Sequence, residues 1–281
     1  MNFSNVMQFK AYIKQKAVEK NISPQLALQT YMLECLLIRI AHSKYKKNFI
    51  LKGGFLISII AGLNSRTTMD IDASIKGIKV SQKRIKEIFQ DICKIDLKDN
   101  IRYSIVELSD IRKDDEYGGI RVSMKADYDV LSVALSVDIT TGDKITPREI
   151  DFAFNPFFNN EKIHILTYNM ETFLAEKIET VISRGIANTR IRDFYDIYLL
   201  LKIKIGHIDK NTFQKSLTAT CIKRNSLEVI KNYETVLKQL EEDRQIQKLW
   251  IQYQKKFTYA KDISLIEIYS LIKKYLKNIN F

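Results

Sequence analysis

The chain has few of the residues that build disulfide frameworks, zinc sites and long linkers. Its 281 residues include three cysteines, three histidines, three prolines and nine glycines. The cysteines, Cys35, Cys93 and Cys221, are odd in number and far apart, so neither a disulfide framework nor a structural zinc site is expected. With 46% hydrophobic residues beside so little glycine and proline, the composition predicts a compact protein.

Long apolar runs are also missing. No stretch of 18 consecutive apolar residues occurs, so no membrane-spanning helix and no membrane partner are expected. Residues 1–6 lack the continuous apolar core of a signal peptide. These absences predict a cytoplasmic protein.

Charge is unevenly distributed along the chain. The formal net charge of +12 divides into +6 for residues 1–50, −2 for residues 51–201 and +8 for residues 202–281. Basic flanks around a near-neutral centre suit a protein that holds a polyanion such as nucleic acid. An ordinary lysine-rich, solvated surface gives the same pattern, so charge alone leaves this partner open.

The most informative segment runs from a double glycine to a pair of aspartates. Asp70 and Asp72 lie in a β-rich stretch and share one strand face, because strand side chains alternate. Paired carboxylates suit Mg²⁺, which prefers oxygen ligands. Gly53 and Gly54 upstream form a turn without Cβ atoms, whose N–H groups can approach a polyphosphate. Each feature alone is weak, but together they indicate nucleotidyl transfer.

The order of these features resembles the polymerase-β-like nucleotidyltransferases, which place a strand, a glycine pair, a short helix and Asp-x-Asp in this sequence. The segment from Lys52 to Asp72 is most similar to the AbiEii/AbiGii and MenT group, the toxins of type IV toxin–antitoxin and abortive-infection systems. The superfamily's usual Gly-Ser is Gly-Gly here. The candidates for the missing phosphate-contacting hydroxyl are Ser65, Thr67 and Thr68.

Two segments in the second half extend the resemblance. Ala175-Glu176-Lys177 is similar to the family's lysine-bearing helix, and Arg192-Asp193-Phe194-Tyr195-Asp196 is similar to its Lys/Arg-Asp-x-x-Asp helix. The residues alone leave alternatives open. Lys177 could join an exposed i,i+4 network with neighbouring glutamates, and aspartates are favoured at any helix start.

A third carboxylate is expected on the strand predicted over residues 130–140. Alternate apolar residues fill one face of this strand and leave Asp138 on the other. The resemblance implies that Asp138 joins the metal pair and accepts the proton of the attacking hydroxyl. On the residues alone, a cap or turn role before Thr140 is equally good.

The resemblance implies a reaction and a set of site residues. Family members bind a nucleoside triphosphate (NTP) through Mg²⁺ and transfer its nucleotidyl group to an RNA acceptor, which in MenT-type relatives is the tRNA 3′ end. The expected catalytic residues are Asp70, Asp72, Asp138, Lys177 and Asp193, the first three as metal ligands. The expected nucleotide-binding residues are Lys52, Gly53, Gly54, Ser65, Arg66, Thr67, Thr68, Lys177 and Asp196. A cognate antitoxin encoded nearby is expected to act without forming a stable complex.

The predicted fold is α+β: a polymerase-β-like core with a mixed sheet and flanking helices over residues 1–168, then an all-α region over residues 169–281. Two helices are predicted in the first 45 residues, the second capped by Ser23, and further helices over 55–61 and after Ser81. Strands are predicted at 48–51, in the aspartate segment and at 101–107, 120–127, 130–140 and 163–166, with a turn at 114–119.

Three other functions fit parts of the sequence. They are a nucleotidyltransferase with a small-molecule acceptor, a non-catalytic nucleic-acid-binding protein, and a protein that binds a partner through its C-terminal helices. The +8 charge of residues 202–281 disfavours the first of these. Mg²⁺-dependent release of pyrophosphate separates the enzymes from the last two.

Overall fold

The computed structural model describes residues 3–111, 118–159, 161–204, 208–277 and 279. The chain forms two compact units, one of residues 1–143 with 150–167 and the other of residues 144–149 with 168–281. The predicted turn residues 114–116 lie outside the described residues.

The first unit is built on a seven-stranded mixed sheet. Its strands are β1 Phe49–Lys52, β2 Asp70–Ile75, β3 Arg102–Ile111, β4 Gly119–Tyr128, β5 Leu131–Thr140, β6 Ile150–Phe154 and β7 Ile163–Thr167. Their order is β3-β4-β5-β2-β1-β7-β6. The β2–β5 and β1–β7 pairs are parallel and the other four pairs are antiparallel. The predicted mixed sheet is confirmed.

Among the residues of this unit that the structure describes, four helices accompany the sheet: α1 Val6–Glu19, α2 Pro24–His42, α3 Gly53–Ala61 and α4 Gln82–Cys93. The predicted caps are confirmed, since Ser23 accepts the N–H of Leu26 and Ser81 accepts the N–H of Arg84. Most residues of α2 from Ala27 to Ile40 are buried in the core. This unit therefore packs its sheet against a buried central helix.

Two details differ from the sequence prediction. Helix α3 begins at Gly53 and not at Phe55, because both glycines form its first turn. Strand β6 was not predicted, since it is short, only its last residue is buried, and Asn155 and Pro156 follow it at once. It pairs with β7 at the edge of the sheet.

The regular elements that the structure describes in the second unit are all helical. They are α5 Met170–Arg184, α6 Ile191–Lys204, α7 Lys210–Lys223, α8 Leu227–Lys231, α9 Tyr233–Glu242, α10 Arg244–Lys256 and α11 Leu265–Leu276, with short 3-10 turns at Gly185–Ala187 and Thr258–Ala260. The predicted helical C-terminal region is thereby confirmed. Across the described residues of the whole chain, no helix is long and apolar enough to cross a membrane.

Glu34 is a fully buried carboxyl group on α2. Its two oxygens accept the backbone N–H groups of Phe157 and Phe158, and the second of these bonds is 3.1 Å long. Burial raises the pKa of Glu34 to about 8, against the opposing effect of the two N–H donors. A neutral Glu34 thus ties the segment between β6 and β7 to the central helix.

Replacing Glu34 by glutamine tests this tie. Glu34 binds its proton more tightly in the folded protein than in the unfolded chain. The protonated group therefore stabilises the fold fully below about pH 4.5, and this stabilisation is lost as pH rises through about 8. Relative to Glu34→Gln, the wild type should lose on the order of a few kcal/mol of unfolding free energy across that range. Urea unfolding at several pH values measures the difference.

The exposed Glu107 provides the matched control. Glu107→Gln should follow the wild-type pH profile. Parallel profiles for the wild type and Glu34→Gln would show that Glu34 does not titrate over this range.

Candidate active site: a carboxylate face and a buried Lys-Asp-Asp cluster

Strand pairing places four charged residues in a row across the sheet of the first unit. Lys52 on β1 lies opposite Asp72 on β2, Asp72 lies beside Asp138 on β5, and Asp138 lies opposite Arg121 on β4. Paired residues on neighbouring strands project from the same face. We call these four residues the charged row. Asp70, two residues before Asp72, projects from the same face.

Gly53 makes room for the carboxylate of Asp72. Its φ of +69° is one that L side chains rarely adopt, and a Cβ built on it would lie 1.9 Å from Oδ2 of Asp72. The carboxylate therefore sits against the first residue of α3. Lys52, the N-cap residue of this helix, makes no side-chain capping bond. The positive end of α3 thus meets the charged row, as suits a site for a polyanion.

The loop between α3 and β2 holds Asp70 in place. The Thr68 hydroxyl, which is buried, donates to Oδ1 of Asp70. The guanidinium of Arg66 is also buried and donates to the carbonyl of Thr67. A Cβ on Gly54 would lie 3.0 Å from the Thr68 hydroxyl and 3.1 Å from Nη2 of Arg66. Gly53 is therefore needed for the close approach of Asp72, whereas a side chain at Gly54 would require Thr68 and Arg66 to shift.

These contacts bear on the predicted nucleotide-binding residues. Thr68 and Arg66 use their polar groups inside the loop, whereas Ser65 and Thr67 are half-buried. The ammonium of Lys52 lies 2.5 Å from Oδ2 of Asp143 and 2.7 Å from the Thr140 hydroxyl. Nucleotide binding by these residues stays a prediction.

The donor set fits a hard divalent cation. Asp70 and Asp72 are half-buried and share one face, and Mg²⁺ commonly takes one or two protein carboxylates with phosphate and water oxygens. Within the described ranges, no group of three His, Cys, Asp or Glu side chains is arranged to hold a metal. Both oxygens of Asp138 bond to Arg121, at 2.8 and 2.7 Å. Asp138 thus lies beside Asp70 and Asp72, and its carboxylate is hydrogen-bonded to Arg121.

Arg121 was not among the residues predicted from sequence. Its neighbours Ile120 and Val122 are buried, and Arg121 itself is exposed on the alternate face of β4. This alternation was visible in the sequence and would have put Arg121 on a polar face. Its cross-strand partner is Asp138, on the next strand of the β4–β5 hairpin. The position of both residues beside Asp70 and Asp72 depends on the pairing of β5 with β2, which alternation does not give.

The second unit contains a buried cluster of three charges. Lys177 on α5 bonds to Oδ1 of Asp193 and lies 3.1 Å from Oδ2 of Asp196, both on α6. Both aspartate side chains are at most 5% exposed and that of Lys177 is 18% exposed. The Lys177 ammonium also lies 5.4 Å from the centre of the Phe173 ring. Helix pairing therefore joins the two predicted C-terminal motifs.

Charge balance within this cluster favours ionised Lys177. Burial disfavours the ammonium, but Asp196 and Asp193 outweigh burial and raise the pKa of Lys177 above its ordinary value. The neighbouring glutamates pair with Arg224, which lies 2.5 Å from Glu179 and 3.7 Å from Glu176. Lys177 thus belongs to a buried ion cluster and not to the exposed helical network considered from sequence. Its role in catalysis stays a prediction.

Comparisons with known proteins give a family and a fold. The family model described as "Nucleotidyl transferase AbiEii toxin, Type IV TA system" matches residues 35–270. A search of proteins with curated functions found no match. Among solved structures, JHP933 from Helicobacter pylori is 14% identical, with a TM-score of 0.49 over 91% of this chain and 91% of that chain.

A second solved structure, described as "putative nucleotidyltransferase from H. pylori", is 15% identical with a TM-score of 0.50, over 91% of this chain and 95% of that chain. At this identity the likeness shows a shared fold. The family match covers most of the sequence, so the resemblance inferred from the motifs is confirmed and the protein is a nucleotidyltransferase. The family implies an NTP substrate and a cognate antitoxin. The chain belongs to the AbiEii nucleotidyl transferase toxin family of type IV toxin–antitoxin systems.

Proposed function

We propose that this protein is a Mg²⁺-dependent toxin that transfers a nucleotidyl group from an NTP to an RNA acceptor, with the tRNA 3′ end as its target. The observation that carries the proposal is the pairing of Asp72 with Asp138 beside Asp70, at the start of α3. This arrangement supplies carboxylate oxygens for a cation and a positive helix end for phosphate. The reaction is proposed to take place in the cytoplasm and to stop cell growth during phage infection.

Asp70 and Asp72 are proposed to hold the metal ion, which when bound would neutralise charge on the triphosphate. The acceptor hydroxyl attacks the α-phosphorus, the bond to the β-phosphate oxygen breaks, and pyrophosphate leaves. Asp138 is proposed to take the proton of the attacking hydroxyl. The first N–H groups of α3, at Gly53 and Gly54, are proposed to bind phosphate oxygens, with Lys52, Ser65 and Thr67 nearby.

Lys177 is proposed to contact the triphosphate, with Asp193 and Asp196 setting its position. An ammonium has three N–H donors, and the bonds to the two aspartates use two of them. The raised pKa of Lys177 keeps its charge at neutral pH, as a phosphate contact requires.

The basic C-terminal helices are proposed to hold the RNA acceptor. The nine basic residues that we assign to this role are all exposed: Lys223, Arg224, Lys231, Lys238, Lys255, Lys256, Lys273, Lys274 and Lys277. Some already have acidic partners within this unit, such as Lys231, 2.7 Å from Glu228. Lys255 and Lys256 end α10 beside Phe257, over whose ring the Lys256 ammonium lies at 5.5 Å. A cation beside an aromatic ring suits a stacked base and its phosphate.

Asp70→Asn tests the metal pair. It should abolish Mg²⁺-dependent transfer and growth inhibition, because the carboxylate ligand is lost. The thermal midpoint should stay nearly unchanged, since the variant also removes a like charge next to Asp72. Labelled NTPs incubated singly with total RNA, and release of pyrophosphate, provide the measurements. The exposed Asp110 on β3 serves as control, and Asp110→Asn should retain activity. Full transfer by Asp70→Asn would overturn the proposed mechanism.

Lys177→Ala tests the phosphate contact. Two buried carboxylates lose their counter-ion, so unfolding should become easier by about 3–5 kcal/mol. NTP binding, measured on protein confirmed to be folded, should weaken at least about tenfold. The control is Lys202→Ala, since Lys202 is an exposed lysine of the same unit, paired with Glu267 at 2.9 Å and lying over the Tyr198 ring. Lost stability with unchanged NTP affinity would make Lys177 a structural residue only.

Charge reversal of Lys255 and Lys256 tests the RNA path. RNA affinity should fall with salt at a log–log slope of about −0.7 per phosphate contact, and Lys255→Glu with Lys256→Glu should flatten that slope. Transfer to RNA should slow while NTP binding stays intact. The same reversal at Lys83 and Lys86, both exposed on α4, controls for net charge. An unchanged salt slope would place this pair outside the RNA path, and transfer without RNA would favour a small-molecule acceptor.

A further inference from the structure

Arg121 makes a two-point contact with the third carboxylate of the charged row. Its Nε donates to Oδ1 of Asp138 at 2.8 Å and its Nη2 donates to Oδ2 at 2.7 Å. Both carboxylate oxygens are therefore engaged by one planar guanidinium. The two residues are also paired across β4 and β5, so the strands hold them side by side.

Arg121 supplies a positive charge at the Asp138 end of the charged row. Its hydrogen bonds to Asp138 and the charge of that carboxylate raise the pKa of Arg121, and Asp70 and Asp72 contribute further to the same rise. A cation in this position offsets the repulsion among carboxylates that lie close together. A divalent cation bound by Asp70 and Asp72 would offset the same repulsion.

The pair lies where exchange of partners is easy. The Arg121 side chain is 48% exposed, whereas that of Asp138 is 15% exposed. A half-exposed ion pair is worth little, because water solvates the guanidinium once it leaves. The carboxylate, by contrast, is held at a fixed place in the strand next to Asp72. The guanidinium is therefore the mobile member of the pair.

We propose that Arg121 is the resident counter-ion of the metal site: it occupies Asp138 until a divalent cation displaces it, and so sets the affinity of the site for that cation. The inference rests on the proposed metal-binding role of Asp70 and Asp72. It makes Arg121 a positioning residue that acts through Asp138. It also accounts for the position of Asp138, which lies next to Asp72 with both carboxylate oxygens bonded to Arg121.

Divalent-cation binding to the NTP-free protein tests the proposal without relying on activity. Mg²⁺ binding is measured by isothermal titration calorimetry, and Mn²⁺ binding by electron paramagnetic resonance. Arg121→Gln removes the competing charge and should tighten cation binding at least about fivefold. Arg121→Lys keeps the charge but loses the two-point contact, so its cation affinity should lie between those of the wild type and Arg121→Gln. Arg84→Gln is the matched control, because Arg84 is 45% exposed and bonds to Glu87 at 3.0 Å.

A double-mutant comparison separates displacement from long-range repulsion. In an Asp138→Asn background, Arg121→Gln should change cation affinity by less than about twofold, because the carboxylate through which it acts is gone. The proposal would be overturned if Arg121→Gln raised cation affinity equally with and without Asp138→Asn. It would also be overturned if the single variant Arg121→Gln bound the cation no more tightly than the wild type. Wild-type protein that binds no divalent cation would instead overturn the proposed metal-binding function itself.

Thermal unfolding gives a second measurement of the same proposal. Without a divalent cation, Arg121→Gln should unfold close to the wild-type temperature, since a half-exposed ion pair is worth little. Added Mg²⁺ should raise the midpoint more in Arg121→Gln than in the wild type. Equal increases in both proteins would contradict competition between Arg121 and the cation.

Discussion

The register of β2 between β1 and β5 is the constraint on which the candidate site depends. This register places Asp72 both next to Asp138 and opposite Lys52. The alternate residues Ile71, Ala73, Val137 and Ile139 are buried on the other face. A slip of one residue would turn the aspartates into the core and the apolar side chains to the polar face. Burial of one face thus fixes the chemistry of the other.

A sheet face that carries three neighbouring carboxylates also needs compensating charge. Lys52 and Arg121 end the charged row on either side, and Thr68 donates a hydrogen bond to Asp70. The first turn of α3 adds a positive helix end beside Asp72, at the position where Gly53 leaves space for the carboxylate. Gly53, Lys52 and Arg121 therefore have a common effect: they allow the carboxylates to lie close together before any metal ion binds.

Sequence alone predicted the parts of this site that depend on local pattern. Alternation put Asp70 and Asp72 on one face and Asp138 on the polar face of its strand, and motif order led to the correct family. The parallel pairing of β2 with β5 joins segments more than 60 residues apart, and no local pattern encodes that pairing. Arg121 meets Asp138 within the β4–β5 hairpin, but its place beside Asp70 and Asp72 depends on this β2–β5 pairing, so it was missed. Strand β6 was missed because an exposed edge strand carries little alternation.

The two charged groupings differ in how firmly they are fixed. Lys177, Asp193 and Asp196 are buried together, so breaking their contacts would leave uncompensated charge in a medium that solvates it poorly. Arg121 and Asp138 are paired near the surface, where water solvates the half-exposed guanidinium at little cost once it leaves the carboxylate. A cluster of the first kind suits a fixed position for a charge, whereas a pair of the second kind suits exchange. Cation binding is therefore expected to rearrange the charged row of the first unit and to leave the buried cluster of the second unit as it is.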